Sequence, residues 1–79
     1  MEKSQHTAAY KRLTAALRAA RESAGLTQQD VVDATGSYAS FVSKVESGER
    51  RIDVVELAAL CRLYKITVAA FLKTAKIGG

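Results

Sequence analysis

Ser40, Ser43, Lys44 and Ser47 recur at steps of three and four residues, the spacing that puts side chains on one face of an α-helix, with Ala39 beside them. Hydroxyls both donate and accept hydrogen bonds, and an ammonium donates three. A face of such small groups can come close to a flat polar surface without bulk in the way. Arg50 and Arg51 follow one short step later and add positive charge. The residues that are missing narrow the chemistry further. The chain has one histidine, His6, in its N-terminal tail, and one cysteine, Cys61. No Ser/His/Asp or Cys/His set can be assembled from these, so the serines lack an activating base. No Cys/His cluster has metal-ligand spacing. Recognition is therefore expected rather than catalysis, with neither cofactor nor metal. Cys61 reads as a small core hydrophobe rather than a redox sensor, because its setting is apolar and helical.

The elements that must position this face belong to one small core. At 79 residues, 48% apolar and 25% charged, the chain has the composition of a single packed domain. Its 12 Lys+Arg against 8 Asp+Glu give a net +4, a modest lean toward nucleic acid or another anionic surface. No apolar run approaches the ~20 residues that cross a bilayer, and no hydrophobic stretch follows the polar start. A cytoplasmic protein with no membrane partner is expected. Lys73 and Lys76 could suggest a membrane-surface helix, but Val68, Phe71 and Leu72 are needed to cover the helix before it.

Proline is absent, and Gly25, Gly36 and Gly48 each follow a stretch of helical periodicity. The pattern predicts an all-α domain of five helices. Helix 1 spans about Thr7 to Ala24, with Tyr10, Leu13, Leu17, Ala20 and Ala24 as its apolar stripe. Thr27 opens helix 2 over about Gln28 to Thr35, with Asp30 as reciprocal cap and Leu26 and Val31 as a hydrophobic staple. Helix 3 is expected from Tyr38 to Ser47, with Val42 and Val45 inward and Tyr38 or Phe41 flanking them. Asp53 and Glu56 form a second capping box, opening a helix 4 that carries Val54, Leu57, Leu60 and Cys61 inward to about Tyr64. Thr67 caps helix 5, which fades near Lys76. The expected organisation is an N-terminal arm over residues 1–9, a helical domain over 10–76 and a tail over 77–79.

Two short helices about a glycine-containing turn read as a helix-turn-helix, with helices 2 and 3 as its arms. In that arrangement the first helix braces across the DNA backbone and the second enters the major groove. The outer face of helix 3 suits the second role. Arg18 on helix 1 would add to the attraction for phosphates.

The residues also carry a family resemblance. Leu26-Thr27-Gln28-Gln29-Asp30-Val31 through Gly36, followed by Val42-Ser43-Lys44-Val45-Glu46-Ser47-Gly48-Glu49-Arg50, resembles the Xre/Cro-type helix-turn-helix family of phage and bacterial repressors. The similarity runs without a gap from about Leu17 to Leu72. It implies that Ala39, Ser40, Ser43 and Lys44 reach base edges. Gln28 would hold a phosphate and buttress the recognition helix, and Ser47, Arg50 and Arg51 would clamp phosphates, with Ser37 at the turn beside them. Arg21 and Glu46 match a pair that forms an internal salt bridge. Three positions depart from the family pattern. Thr35 stands where a large aliphatic is usual, so the core beneath the turn would be either smaller or filled by Tyr38 or Phe41. Ala39 can offer only a methyl contact, and Glu49 would repel a phosphate.

The reading is a sequence-specific double-stranded DNA-binding regulator, a repressor by type. Paired recognition helices imply a homodimer through helices 4 and 5, with Val55, Leu63, Ile66, Phe71 and Ile77 as spare apolar surface. The alternative is an antitoxin or adaptor-type protein-binding module on the same fold.

Overall fold

Helices begin where a side chain can take up their free backbone N–H groups. The computed structural model describes residues 7–78. Thr7 caps α1 (Ala8–Ser23), Thr27 caps α2 (Gln28–Thr35), Asp53 caps α4 (Val54–Leu63) and Thr67 caps α5 (Val68–Thr74). At α2 and α4 the capping is reciprocal: the Thr27 N–H donates to Asp30 Oδ2 at 2.9 Å, and the Asp53 N–H to Glu56 Oε1 at 3.1 Å. That backbone bond from Thr27 holds the Asp30 carboxyl below its usual range. The described residues form five helices and no strand, so the fold is all-α. None of these helices is long and apolar enough to cross a membrane. Residues 1–6, most of the expected arm and including His6, lie outside the described residues, as does Gly79.

The core is built from one face of every helix. Leu17 of α1, Val31 of α2, Val42 and Val45 of α3 (Phe41–Ser47), Cys61 of α4 and Phe71 of α5 are almost wholly enclosed. Burial pushes the Cys61 thiol up from its ordinary pKa, so it remains a neutral hydrophobe. Two long-range polar ties close the ends of the bundle. Tyr10 Oη accepts from the Ile52 N–H at 3.0 Å. Arg12 donates through Nε and Nη2 to the carbonyls of Ala75 and Lys76, both at 3.1 Å, which satisfies the C-terminus of α5.

Three expectations need correction. Helix α3 starts at Phe41 rather than Tyr38, because Gly36 takes a left-handed conformation (φ 68°) and the chain needs the stretch to Ser40 to reverse direction. The Phe41 N–H closes that turn on Tyr38 O at 3.0 Å. Val54 does not face inward. It is 71% exposed, and Ile52, just before the cap, packs against the core in its place. Phe71 is 1% exposed and spent on the core, and Ile66 and Ile77 also pack against it, so α5 has little apolar surface to spare.

The helix ends differ from the glycine rule as well. Helices α1, α4 and α5 all finish in the same double hydrogen bond. For α4, the Lys65 N–H donates to Arg62 O and the Ile66 N–H to Cys61 O. Gly25 supplies the left-handed residue after α1, but Lys65 (φ 60°) and Lys76 (φ 59°) supply it after α4 and α5. A side chain with a Cβ is strained there. Replacing Lys65 by glycine should raise stability by about 0.5–1 kcal/mol. Thermal unfolding followed by circular dichroism checks this; an unchanged or lower Tm would count against the strain.

Candidate nucleic-acid interface

Helix α3 is only seven residues long, too short to hold its shape by backbone bonding alone. Its orientation is set by what it packs on. Phe41, Val42 and Val45 are buried against α1 and α2, which leaves Ser43, Lys44 and Ser47 exposed, Ala39 exposed before them and Ser40 half-buried. Of the two aromatics it is Phe41 that joins the core; it meets Tyr38 edge-on at 5.6 Å, Tyr38 itself stays half exposed, and a surface hollow remains between them and Thr35. The Thr35 hydroxyl turns back to donate to Val31 O at 2.7 Å.

The outward serines spend their protons locally. Ser43 Oγ donates to Ser40 O, and Ser47 Oγ to Lys44 O, each at 3.1 Å. Ser47 Oγ also accepts from the Glu49 N–H at 3.3 Å, while the Ser43 oxygen keeps its lone pairs as acceptors. Lys44 makes no side-chain hydrogen bond or ion pair among the described residues, so its ammonium is free to meet a ligand. Ser37 Oγ is engaged with Thr35 Oγ1 at 2.9 Å within the turn.

A buried ion pair fixes the pitch of α3. Arg21 Nε donates to Glu46 Oε2 at 2.7 Å and Nη2 to Oε1 at 3.1 Å, with only 9% and 5% of the two side chains exposed. Arg21 Nη1 also donates to Leu26 O at 2.8 Å, and Gln28 Nε2 donates to Glu46 Oε1 at 3.0 Å. The Glu46 hydrogen bonds raise the Arg21 pKa above its ordinary value against the opposing effect of burial. Gln28 thus buttresses α3 through Glu46, and one of its amide hydrogens and its oxygen remain. Tyr64 closes the space nearby. Its hydroxyl is buried with no hydrogen-bond partner among the described residues, and burial, reinforced by Glu46, pushes its pKa up to about 12.

The loop after α3 separates its two arginines. Arg50 lies on Glu56 in a two-pronged pair, Nη1 to Oε1 and Nη2 to Oε2, both at 2.9 Å. Its guanidinium sits 4.9 Å from the Phe41 ring centre, and Nη1 also donates to Arg51 O. The structure therefore brings Arg50 onto the body of the protein rather than to the open side of the loop. Arg51 is exposed, 6.0 Å from the Tyr10 ring centre, and makes no ion pair among the described residues. On α1, Arg18 holds a looser pair with Glu22 at 3.4 Å, both largely exposed. Sequence reasoning missed the Arg50–Glu56 pair and the Arg12 ties. Six residues separate the first pair and more than sixty the second, so no helical periodicity signals either.

Two stability outcomes follow. Removing one member of the buried pair strands the other charge, so Glu46→Ala should cost about 3–5 kcal/mol, whereas Lys44→Ala on the exposed face should cost almost nothing. Equal melting temperatures for the two variants would refute this. The Arg50 guanidinium, helped by the Asp53 N–H, holds the Glu56 carboxyl below its ordinary value of 4.5. Its contribution is then fully present above pH 4.5 and is lost as pH falls through the depressed native value. Thermal melts across acid pH should show a shallower loss for Glu56→Gln than for the native chain; parallel curves would exclude the pair as a contributor.

With α2, its glycine turn and an outward-facing α3 established, the chain can be compared with known proteins. No curated protein and no solved structure shows significant similarity to it. Residues 12–71 match the family described as helix-turn-helix domain, from the Arg12 that ties α1 to the end of α5 as far as the buried Phe71. That span covers most of the sequence and every element that positions α3: the chain belongs to the helix-turn-helix domain family.

Proposed function

We propose that the chain is a sequence-specific double-stranded DNA-binding regulator of the Xre/Cro type, a repressor that reads the major groove with α3. One observation carries the reading. The apolar face of α3 is buried and its orientation locked by Arg21, Glu46 and Gln28, while Ser43, Lys44 and Ser47 stand outward with acceptors and one free ammonium. In a groove, Lys44 would donate to guanine, Ser40 and Ser43 would meet base edges, and Ala39 would offer a methyl contact to thymine. Gln28, Ser37, Ser47, Arg18 and Arg51 would hold phosphates, which position the helix without reading sequence. Arg50 would act mainly through Glu56, by shaping the loop that presents Arg51. The α3 serine hydroxyls hydrogen-bond to backbone carbonyls, an arrangement suited to recognition rather than to attack on a substrate.

A single half-site offers few contacts, so two copies on half-sites about 34 Å apart would supply the affinity. The exposed valines of α4 favour such pairing, and they equally fit the second reading, an antitoxin or adaptor that binds protein. Titration of random and selected duplexes at two salt concentrations separates these. A DNA reader weakens steeply as salt rises; an adaptor has little affinity at either concentration. Lys44→Ala should weaken binding to the selected site by roughly tenfold and random duplex far less, whereas Arg51→Ala should weaken both alike and lower the salt slope by about 1. Equal loss on both duplexes for Lys44→Ala would remove it as a base reader.

A further inference from the structure

The molecule's excess of positive charge lies outside its helix-turn-helix. From Glu22 to Glu56 the sequence has seven acidic residues against three basic ones. From residue 7 to Arg21, and again from Leu57 to Gly78, every charged residue is basic. Packing of α1 on α5 brings the two basic stretches together at one end of the bundle. Arg12 donates to the Ala75 and Lys76 carbonyls, and the Lys76 N–H to the Lys73 carbonyl, so Lys11, Arg12, Lys73 and Lys76 form one group. All four are exposed. The three lysines make no ion pair among the described residues. The acid of α1, Glu22, lies about 15 Å further along that helix, paired with Arg18.

We propose that this α1–α5 surface holds the phosphate backbone of a second segment of duplex, so that one copy of the chain bridges two. Leu13, Leu17 and Arg21 turn the inner face of α1 to the core and to α3, whereas Lys11, Ala15 and Arg18, at steps of four and three residues, line its outer face. Helix α1 therefore stands between this surface and α3, whose own outer side bears Lys44. The chemistry of the surface selects its ligand. Its other exposed residues are small, Ala8 and Ala15 on α1 and Ala69 and Ala70 on α5. The bulky apolar side chains that stand exposed, Tyr38, Val54 and Val55, lie on neither helix. The surface thus lacks the apolar anchor that a protein partner buries at the centre of an interface or that a lipid surface takes up. Flexible ammonium groups among small side chains suit a regular row of phosphates, which they neutralise without reading sequence. The bridge rests on the α3 reading given above; the surface itself does not.

A triple variant, Lys11→Gln with Lys73→Gln and Lys76→Gln, tests both. These positions are exposed, so its circular dichroism melt should match that of the native chain. Against random duplex it should bind at least about tenfold more weakly at low salt, with a salt slope lower by about 2–3. For the bridge, duplex with the selected site is immobilised, loaded with the full chain and offered labelled random duplex. The native chain should retain the label, and the triple variant should lose it while still occupying the selected site. Arg62→Gln with Lys65→Gln, which removes positive charge elsewhere, should retain it. No retention by the native chain, or equal loss in both variants, would overturn the proposal. Retention by the triple variant would overturn it as well, since bridging would then come from paired copies. A selected site held with random-duplex affinity indifferent to the three lysines overturns the surface alone, and binding of the native chain to anionic phospholipid vesicles in that case assigns the lysines to lipid. A chain that prefers no duplex sequence, yet loses random-duplex affinity in the triple variant, supports the surface and overturns the α3 reading instead.

Discussion

Arg21 and Glu46 place opposite charges where water scarcely reaches, and the arrangement around α3 depends on that pair. Taking two ions out of water is costly unless geometry and further hydrogen bonds compensate. Here the compensation is a two-pronged pair with one additional bond to each partner, to the Leu26 carbonyl and from the Gln28 amide. Those bonds join the last turn of α1, the entry to α2 and the second half of α3. A different tilt of α3 would leave a buried charge unpaired. The pair therefore selects one orientation for a helix too short to select its own, and that orientation determines where Lys44 points.

A second constraint acts through the same cations. Ion pairing leaves the net charge of +4 unchanged, since Arg21 and Arg50 each neutralise a glutamate, but it fixes which cations are held in contacts within the molecule. Arg12 closes α5, Arg21 holds α3, and Arg50 lies on Glu56 and the Phe41 ring. On α3 and the loop just beyond it, Lys44 and Arg51 make no ion pair among the described residues. The committed arginines build the shape, and these two cations give the α3 side its positive character. Phe41 links the arrangements: it is buried in the core and provides the surface on which Arg50 rests.

Much of this was legible in the residues. Thr7, Thr27, Asp53 and Thr67 open α1, α2, α4 and α5 where their side chains can reach N–H groups three residues on, and Gly25, Gly36 and Gly48 close α1, α2 and α3. The two faces of α3 followed from three- and four-residue spacing. These rules act within about one helical turn, so sequence neighbours suffice to apply them. They gave the all-α class, the two-helix motif and the outward serines with Lys44. The pairing of Arg21 with Glu46 came from family resemblance, since nothing local connects residues so far apart.

What the sequence could not decide were matters of distance and competition. Val54 has the right spacing to face inward, yet it is exposed and Ile52, just before the cap, packs against the core instead. Arg50 has the composition of a phosphate ligand, yet Glu56 lies within reach and takes it. Lys65 and Lys76 end helices in a conformation that glycine would adopt more easily. Capping, periodicity and turn chemistry are local and so were written in the chain itself. The partner each long side chain finds, and the face each helix leaves bare, were set only when rigid helices packed together and one contact excluded another.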